Sequence, residues 1–216
     1  MKSHNDFLDY VMPHVPGATV NMALHEIKST IIDFCEKSLI LQETLDPIAV
    51  IANTSDYDLE PPKHRLVVKI LRGWYKNRLL DAESTDNIND ATLYNKHITD
   101  VVTRKGDPFV IMQKDPRTFT LYPEPSETVA SAVTLRVALK PTRAVDTIDD
   151  FIFEDYAETI GHGVISRMAL SPDKPYYDTK LAVARDALYR AGLNVARDRA
   201  LKAFVRANKH VKLRRI

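Results

Sequence analysis

Apolar residues follow a helical spacing near the start of the chain, a strand-like spacing in its middle and a helical spacing again towards its end. Between residues 20 and 43 they recur every three or four positions, which predicts an amphipathic helix with Thr19 as its N-cap. The apolar side of this helix consists of Val20, Leu24, Ile27, Ile31, Phe34, Ser38 and Leu41. A one-sided stripe of this kind must pack against another element.

From Pro47 to Pro141, β-branched and aromatic residues form short runs separated by turn-rich pieces such as "NTSD", "QKDPRT" and "PEPSET". This pattern predicts an antiparallel sheet of five or six strands. The stretch "FVIMQKDPRTFTLYPEPSETVASAVTLRVAL" resembles a three-stranded meander. We expect Pro108, Pro123 and Pro141 to mark strand ends, where a missing N–H costs least.

After Pro141 the helical spacing returns and predicts two further helices. The first is capped by Asp149 or Asp150 and runs to about Leu170, and its apolar face is formed by Ile152, Tyr156, Ile160, Val164 and Met168. The last starts near Asp178 and continues to about Asn208, and its inner stripe is predicted to be Leu181, Ala184, Leu188, Ala191 and Val195. The stripe weakens beyond Val195, so we expect the end of this helix to project from the bundle.

The order of elements predicts an α+β fold, in which a small helical bundle of one N-terminal and two C-terminal helices carries an inserted antiparallel β-sheet of about five or six strands. We expect a single domain over residues 1–216. Residues 18–44 and 149–208 would form the bundle, residues 46–141 the inserted sheet, and residues 209–216 a basic C-terminal arm. No Gly/Ser-rich linker argues for a separate sheet domain.

Composition narrows the class of protein. The chain has 216 residues and one cysteine, so it cannot form an internal disulfide. No apolar run approaches the roughly 18 residues that span a bilayer. The N-terminus has no continuous apolar block of the kind found in signal peptides. We therefore expect no membrane partner.

The net charge of +1 hides a strong asymmetry. Residues 197–216 contain eight Lys or Arg and one acid, whereas the preceding 196 residues contain 22 basic and 28 acidic residues. A mildly acidic body therefore carries a basic end. Only that end has the charge that nucleic acid attracts.

Residues with catalytic or metal-binding chemistry form no recognisable pattern. None of the seven histidines has metal-ligand spacing with another histidine or with Cys35. We interpret Cys35 as a small buried hydrophobic residue, because no base is positioned to activate it as a nucleophile. The sequence contains no recognised nucleotide-binding or hydrolase signature. We expect no enzyme activity, no catalytic residue, no cofactor and no metal.

Two local clusters admit structural explanations. We expect the glycines of "GHG", Gly161 and Gly163, to permit close helix–helix or helix–sheet approach, because each costs about 1 kcal/mol of helix propensity relative to alanine. The acids Asp149, Asp150, Glu154 and Asp155 lie in the first turns of a predicted helix. There they complement the helix dipole, and we favour this over acid–base catalysis.

The basic end leaves three functional interpretations open. Arg199, Lys202, Arg206 and Lys209 would form one stripe on a helix and could contact nucleic acid in a salt-dependent way. A membrane-surface helix would need a broader apolar side than this segment offers. The third possibility is docking on an acidic protein surface.

The order of several motifs resembles the head–tail adaptor (connector, or neck) proteins of tailed bacteriophages. The first stretch is "DFLDYVMPHVPGATVNMALHEIKSTIIDFCEKSLI", and the second is "FTLYPEPSETVASAVTLRVALKPTR". A third pattern combines an acidic helix start, a G-x-x-x-R-M step at 163–168, then "KPYYD" and a long terminal helix. The resemblance covers roughly residues 6–208.

The resemblance implies a structural virion protein. Such adaptors form a ring, commonly of twelve subunits, beneath the portal protein, where the ring extends the channel for genomic DNA and provides a platform for stopper or tail proteins. The expected location is the head–tail junction of the virion, and the host cytoplasm during assembly. The implied fold, a helical bundle with an inserted sheet, agrees with the fold indicated by the change of spacing along the chain.

In several such adaptors the C-terminal arm reaches the portal. The corresponding candidates for portal docking in this chain are Arg199, Lys202, Arg206, Lys209, Lys212, Arg214 and Arg215. The alternative is a nucleic-acid-binding accessory protein that acts through the same basic tail.

Overall fold

A computed structural model of the chain describes residues 1–82 and 105–202. They group into two units, one formed by residues 1–40 with the described residues from 147 onward, the other by Leu41–Asp146. The first unit contains the long helices, and the second contains most of the strands. The predicted α+β class, with one N-terminal and two C-terminal helices and inserted β-structure, is confirmed. That the chain forms a single domain stays a prediction.

Within residues 1–82 and 105–202 the α-helices are α1 (Leu8–Val11), α2 (Val20–Ser38), α3 (Asp150–Ala169) and α4 (Thr179–Lys202). Short 3-10 turns at His4–Phe7 and Met12–His14 flank α1. The strands are β1 (Lys2–Ser3), β2 (Gln42–Thr44), β3 (Ile48–Val50), β4 (Asp56–Asp58), β5 (Arg65–Tyr75), β6 (Arg78–Leu79), β7 (Asp81–Ala82), β8 (Lys105–Gly106), β9 (Val110–Gln113), β10 (Thr118–Tyr122), β11 (Glu124–Pro125), β12 (Val129–Pro141) and β13 (Thr147–Ile148). In the helical unit, β1 pairs with β13.

Helix α2 begins where the sequence predicts and ends earlier. The Thr19 side chain accepts a hydrogen bond from the Met22 backbone N–H (3.4 Å), as expected for an N-cap. The predicted end at residue 43 is wrong, because Leu39 adopts a left-handed conformation (φ 56°) and closes the helix. The following residues form β2, so Leu41 belongs to the sheet unit.

The core of the helical unit lies between α2 and α3. The predicted apolar face of α3 is confirmed, since Ile152, Tyr156, Ile160, Val164 and Met168 are all buried. On α2, Ile27, Ile31 and Phe34 are buried opposite it, and the rings of Phe34 and Tyr156 are 5.2 Å apart. Cys35 is buried, as predicted.

A five-stranded sheet is built around β5 and β12, the two longest strands among the described residues. β12 pairs with β5 along most of their lengths, β2 and β3 also pair with β12, and β6 extends β5. All of these pairings are antiparallel. β12 pairs with three strands of this sheet and contributes the buried residues Val133, Leu135, Val137 and Leu139.

A second sheet contains β4, β10, β9 and β7 in that order, and β8 forms a separate parallel pair with β11. β9 and β10 form the predicted hairpin. The predicted third strand of the meander is wrong, because β12 pairs with β5 in the first sheet and not with β10. Pro123 and Pro125 separate β10 from β12, and each lacks an N–H with which to continue a ladder. The three marker prolines do lie at strand boundaries.

Candidate interaction surface

Helices α3 and α4 pack side by side and run in opposite directions. Arg199 near the end of α4 donates to Asp155 in the first half of α3, with 2.8 Å between Nη1 and Oδ2. Arg185 near the start of α4 contacts His162 further along α3, with 3.1 Å between Nη1 and Nδ1. These polar contacts fix the register of the pair.

Glycines allow the helices to approach closely. A Cβ atom at Gly163 of α3 would lie 2.8 Å from Thr30 Cγ2 on α2 and 2.8 Å from Tyr189 Cδ2 on α4. A Cβ atom at Gly192 of α4 would collide with the Thr159 side chain. The packing role predicted for Gly161 and Gly163 is confirmed, since Gly161 lies against Tyr10 in the same way.

Tyr189 links α4 to α2 through a polar contact within the core. Its hydroxyl donates to Asp33 Oδ2 at 2.8 Å. Asp33 also pairs with Lys37 and Arg167, so its charge is balanced. Burial, followed by the nearby Asp33 carboxylate, raises the pKa of the Tyr189 phenol, which stays protonated and able to donate.

A second polar cluster surrounds His162 between α3 and α4. Arg185 contacts His162 and, at 3.4 Å, the Nδ1 atom of His14. Burial, and then the positive charge of Arg185, lowers the pKa of His162. Glu158 is 3.8 Å away and opposes this shift. The neutral imidazole accepts the Arg185 hydrogen bond, and protonation would break it.

The residues by which α4 faces the bundle differ from the predicted ones. The buried residues are Ala182, Tyr189 and Ala196, seven positions apart. The predicted inner stripe is wrong, because Leu181 is only partly buried and Ala184, Leu188, Ala191 and Val195 are exposed. Leu188 and Val195 expose 50% and 58% of their surface. These five residues, called the apolar stripe below, form a continuous face outside the unit.

The close approach of the helices explains this difference. Where α4 meets Gly163 and Thr159, there is space for alanine, glycine and one flat tyrosine ring but not for a row of leucines. The seven-residue spacing of Ala182, Tyr189 and Ala196, with Gly192 beside them, was the sequence signal for this face. The apolar stripe was the more hydrophobic alternative and therefore the misleading one.

Only the first two predicted docking residues lie in the described part of the chain. Arg199 binds Asp155 and also the Tyr156 hydroxyl (3.1 Å), so it holds α4 on α3. Lys202 pairs with Asp198 one turn earlier (3.1 Å). The other predicted docking residues lie outside the described residues: Arg206, Lys209, Lys212, Arg214 and Arg215.

The acids at the start of α3 serve as ion-pair partners. Asp150 binds the N-terminal ammonium group at 2.8 Å, Glu154 lies 3.5 Å from Lys2, and Asp155 binds Arg199. Asp149 occupies the N-cap position without a side-chain cap hydrogen bond. These contacts give the cluster a structural explanation on this surface.

The titrating groups with shifted pKa values keep their ordinary charge at neutral pH. In the sheet unit, hydrogen bonds from Thr120 and Lys114 lower the pKa of Asp56, and the same Asp56 contact raises the pKa of Lys114. Across residues 1–82 and 105–202, no three His, Cys, Asp or Glu side chains are arranged to hold a metal ion. In the same residues, no helix has the length and apolarity to cross a bilayer.

Comparison with known proteins gives one family match. The model of the family described as SU10 adaptor protein matches residues 15–209. No curated protein matches the chain significantly. The matched range includes α2, the whole sheet unit and the α3–α4 pair.

Proposed function

The chain belongs to the SU10 adaptor protein family, and on that premise we propose that it is the head-to-tail adaptor of a tailed phage. In this role, copies of the chain form a ring beneath the portal protein, with twelve subunits as the expected number. The ring extends the channel for genomic DNA and provides a platform for tail or stopper proteins. It resides at the head–tail junction, after assembly in the host cytoplasm.

The observation that carries this proposal is the family match over residues 15–209 of 216. The exposed apolar stripe supports it, because contiguous exposed apolar surface is typical of interaction sites. The acidic balance of residues 1–196 also supports it, since a negatively charged wall repels DNA and lets it pass.

We propose further that the basic end of the chain docks on the portal. The candidates are Arg199, Lys202, Arg206, Lys209, Lys212, Arg214 and Arg215. Of these, Arg199 already has partners on α3, so its contribution to docking would be indirect, through the position of α4. The five residues after Lys202 are therefore the better targets for a test.

The test is attachment of the full-length chain to its cognate portal protein, observed by electron microscopy and co-sedimentation. The wild type should form rings on the portal. Reversing charge at Arg206, Lys209, Lys212, Arg214 and Arg215 should abolish attachment and leave the circular dichroism spectrum unchanged. A matched control reverses five exposed charges elsewhere: Lys63, Lys69, Arg72, Lys174 and Lys180. Wild-type chain that forms no ring with the portal would contradict the adaptor function.

The alternative, a nucleic-acid-binding accessory protein, predicts a different result. Titration with duplex DNA at low and moderate salt should then show strong binding that depends on residues 209–216 and weakens steeply with salt. An adaptor that docks on the portal should show little difference between the full chain and a chain lacking residues 209–216. Attachment that survives the five-fold charge reversal would leave the tail without a docking role.

A further inference from the structure

Helix α4 presents two exposed faces on opposite sides of its buried face. The buried residues are Ala182, Tyr189 and Ala196. Each is preceded by a residue of the apolar stripe, namely Leu181, Leu188 and Val195, and each is followed by one of Val183, Arg190 and Arg197. Since successive residues turn by about 100° around a helix, the two sets point to opposite sides.

The second face is called the basic flank and consists of Val183, Arg190, Arg197 and Leu201. All four are exposed, and Val183 and Leu201 expose 71% and 68% of their surface. The basic flank therefore combines two apolar side chains with two guanidinium groups. Arg190 pairs with Asp186 one turn earlier, at 2.7 Å. Because this ion pair is solvated, it contributes little to stability, and Arg190 can exchange partners.

The apolar stripe borders α3. Leu181, Leu188 and Val195 lie four positions before Arg185, Gly192 and Arg199, and residues four apart are neighbours on a helix. All three of the latter contact α3. The stripe is therefore continuous with the exposed side of α3.

The exposed side of α3 carries an acidic strip, formed by Phe151, Glu154, Asp155 and Glu158. Three carboxylates thus lie beside the apolar stripe, and the aromatic ring of Phe151 is partly exposed among them. The apolar stripe and the acidic strip together form a surface that is apolar on α4 and acidic on α3. The basic flank on the far side of α4 has the complementary character.

We propose that the apolar stripe and acidic strip of one copy pack against the basic flank of α4 in the next copy. Val183 and Leu201 would cover Leu188 and Val195, while Arg197 would face Glu154 and Arg190 would face Glu158. The inference rests on the proposed ring and specifies the surface that builds it. A second copy is the fitting occupant because both complementary faces belong to the same helix pair.

The placement of the two faces also determines the symmetry of the contact. Each copy would use one face towards one neighbour and the other face towards the second neighbour, which is a heterologous contact that a rotation can close into a ring. Both faces repeat every seven residues, about 10.5 Å along a helix, so α4 helices of adjacent copies can pack in register. A two-fold dimer would instead bring identical faces together.

The first test is cross-linking of the full-length chain assembled on its portal. Leu188→Cys is combined with Val183→Cys, and Val195→Cys with Leu201→Cys, and the assemblies are treated with a short thiol cross-linker. The double variants should give a ladder that extends beyond the dimer, and Leu188→Cys alone should give no ladder. The native Cys35 is buried, so the wild type should not react. As a control, Leu188→Cys is replaced by Leu79→Cys, a change at a similarly exposed leucine of the sheet unit.

A charge-exchange series tests the electrostatic half of the proposal. Arg190→Glu with Arg197→Glu should reduce the assembled fraction at least ten-fold, and Glu154→Arg with Glu158→Arg should do the same. All four changes together should restore assembly, because each pair again faces opposite charge. Failure of the four-fold variant to recover, or a dimer from Leu188→Cys alone, would overturn the inference. Rings that form without the predicted cross-links would refute this interface alone, whereas a wild type without rings would refute the adaptor function as well.

Discussion

Helices α3 and α4 have similar apolar periodicity in the sequence, but their apolar stripes differ in burial. Every residue of the predicted stripe of α3 is buried within the helical unit, whereas most of the corresponding stripe of α4 is exposed. The difference arises at the contact between them, where Gly163 and Gly192 bring the backbones too close for large side chains. A regular apolar stripe thus predicts burial, but not whether the partner belongs to the same chain.

The largest expected effect is a loss of stability, and it is found by comparing one residue of the α3 stripe with one residue of the α4 stripe. Ile160→Ala should lower the free energy of unfolding by about 2–5 kcal/mol, because it leaves a cavity in a closed core. Leu188→Ala should change it by no more than about 0.5 kcal/mol in the monomer, because the side chain is half exposed already. Urea denaturation at a concentration where the chain is monomeric measures both. Equal losses would mean that α4 buries its stripe within the protomer.

The glycine contacts give the next largest effect. Helix propensity alone predicts that Gly163→Ala stabilises the protein by about 1 kcal/mol. The new methyl group would press on Thr30 and Tyr189, so we expect a net loss of about 1–3 kcal/mol instead. Ala184→Gly on the exposed stripe is the control and should cost about 0.5–1 kcal/mol by propensity. A gain in thermal midpoint for Gly163→Ala would contradict the close packing of α3.

Features that depend on neighbouring residues could be predicted from the sequence, whereas features that depend on contacts remote in sequence could not. The α3 stripe, the Thr19 cap and the packing role of Gly163 follow from local rules, and the structure confirms them. The end of α2 was missed because Leu41 continues the helical spacing by coincidence, although it belongs to a strand region. The third strand of the meander was missed because strand partners depend on contacts remote in sequence.

The candidate surface was predictable in part. The apolar residues of α4 were identified correctly as a stripe, but their side of the helix was not, because burial depends on how closely α3 approaches. Arg199 is a docking candidate by its charge and by the family resemblance, whereas the structure adds partners on α3 that sequence spacing does not reveal. The acidic strip was visible in the sequence, but its position beside the apolar stripe required the fold.

A smaller effect is expected for the polar contact between α4 and α2. Tyr189→Phe removes the hydroxyl that donates to Asp33 and should cost about 0.5–1.5 kcal/mol, since Asp33 keeps Lys37 and Arg167 as partners. Tyr177→Phe, at an exposed tyrosine before α4, is the matched control and should leave stability unchanged. Indistinguishable unfolding curves for the two variants would mean that this hydrogen bond does not contribute to stability.

The smallest effect concerns pH. The pKa of His162 is lowered in the folded state, so the folded protein favours the neutral ring, and its stabilising contribution is present above the unfolded pKa of about 6.5. This contribution should be lost as the pH falls through the lower folded value. Arg185, His14 and Glu158 surround the ring. His162→Gln should therefore flatten the fall in stability between pH 7 and pH 5, and an unchanged pH profile would contradict this assignment.

The central claim, that α4 directs its apolar stripe towards another copy of the chain, is tested most directly by the mass of the assembled protein. Native mass spectrometry should be recorded with portal for the wild type, for Leu188→Asp with Val195→Asp, and for the control Ile51→Asp with Leu79→Asp, whose sites are similarly exposed in the sheet unit. We predict complete rings for the wild type and the control, and folded monomers for the stripe variant. Complete rings from the stripe variant would contradict the claim.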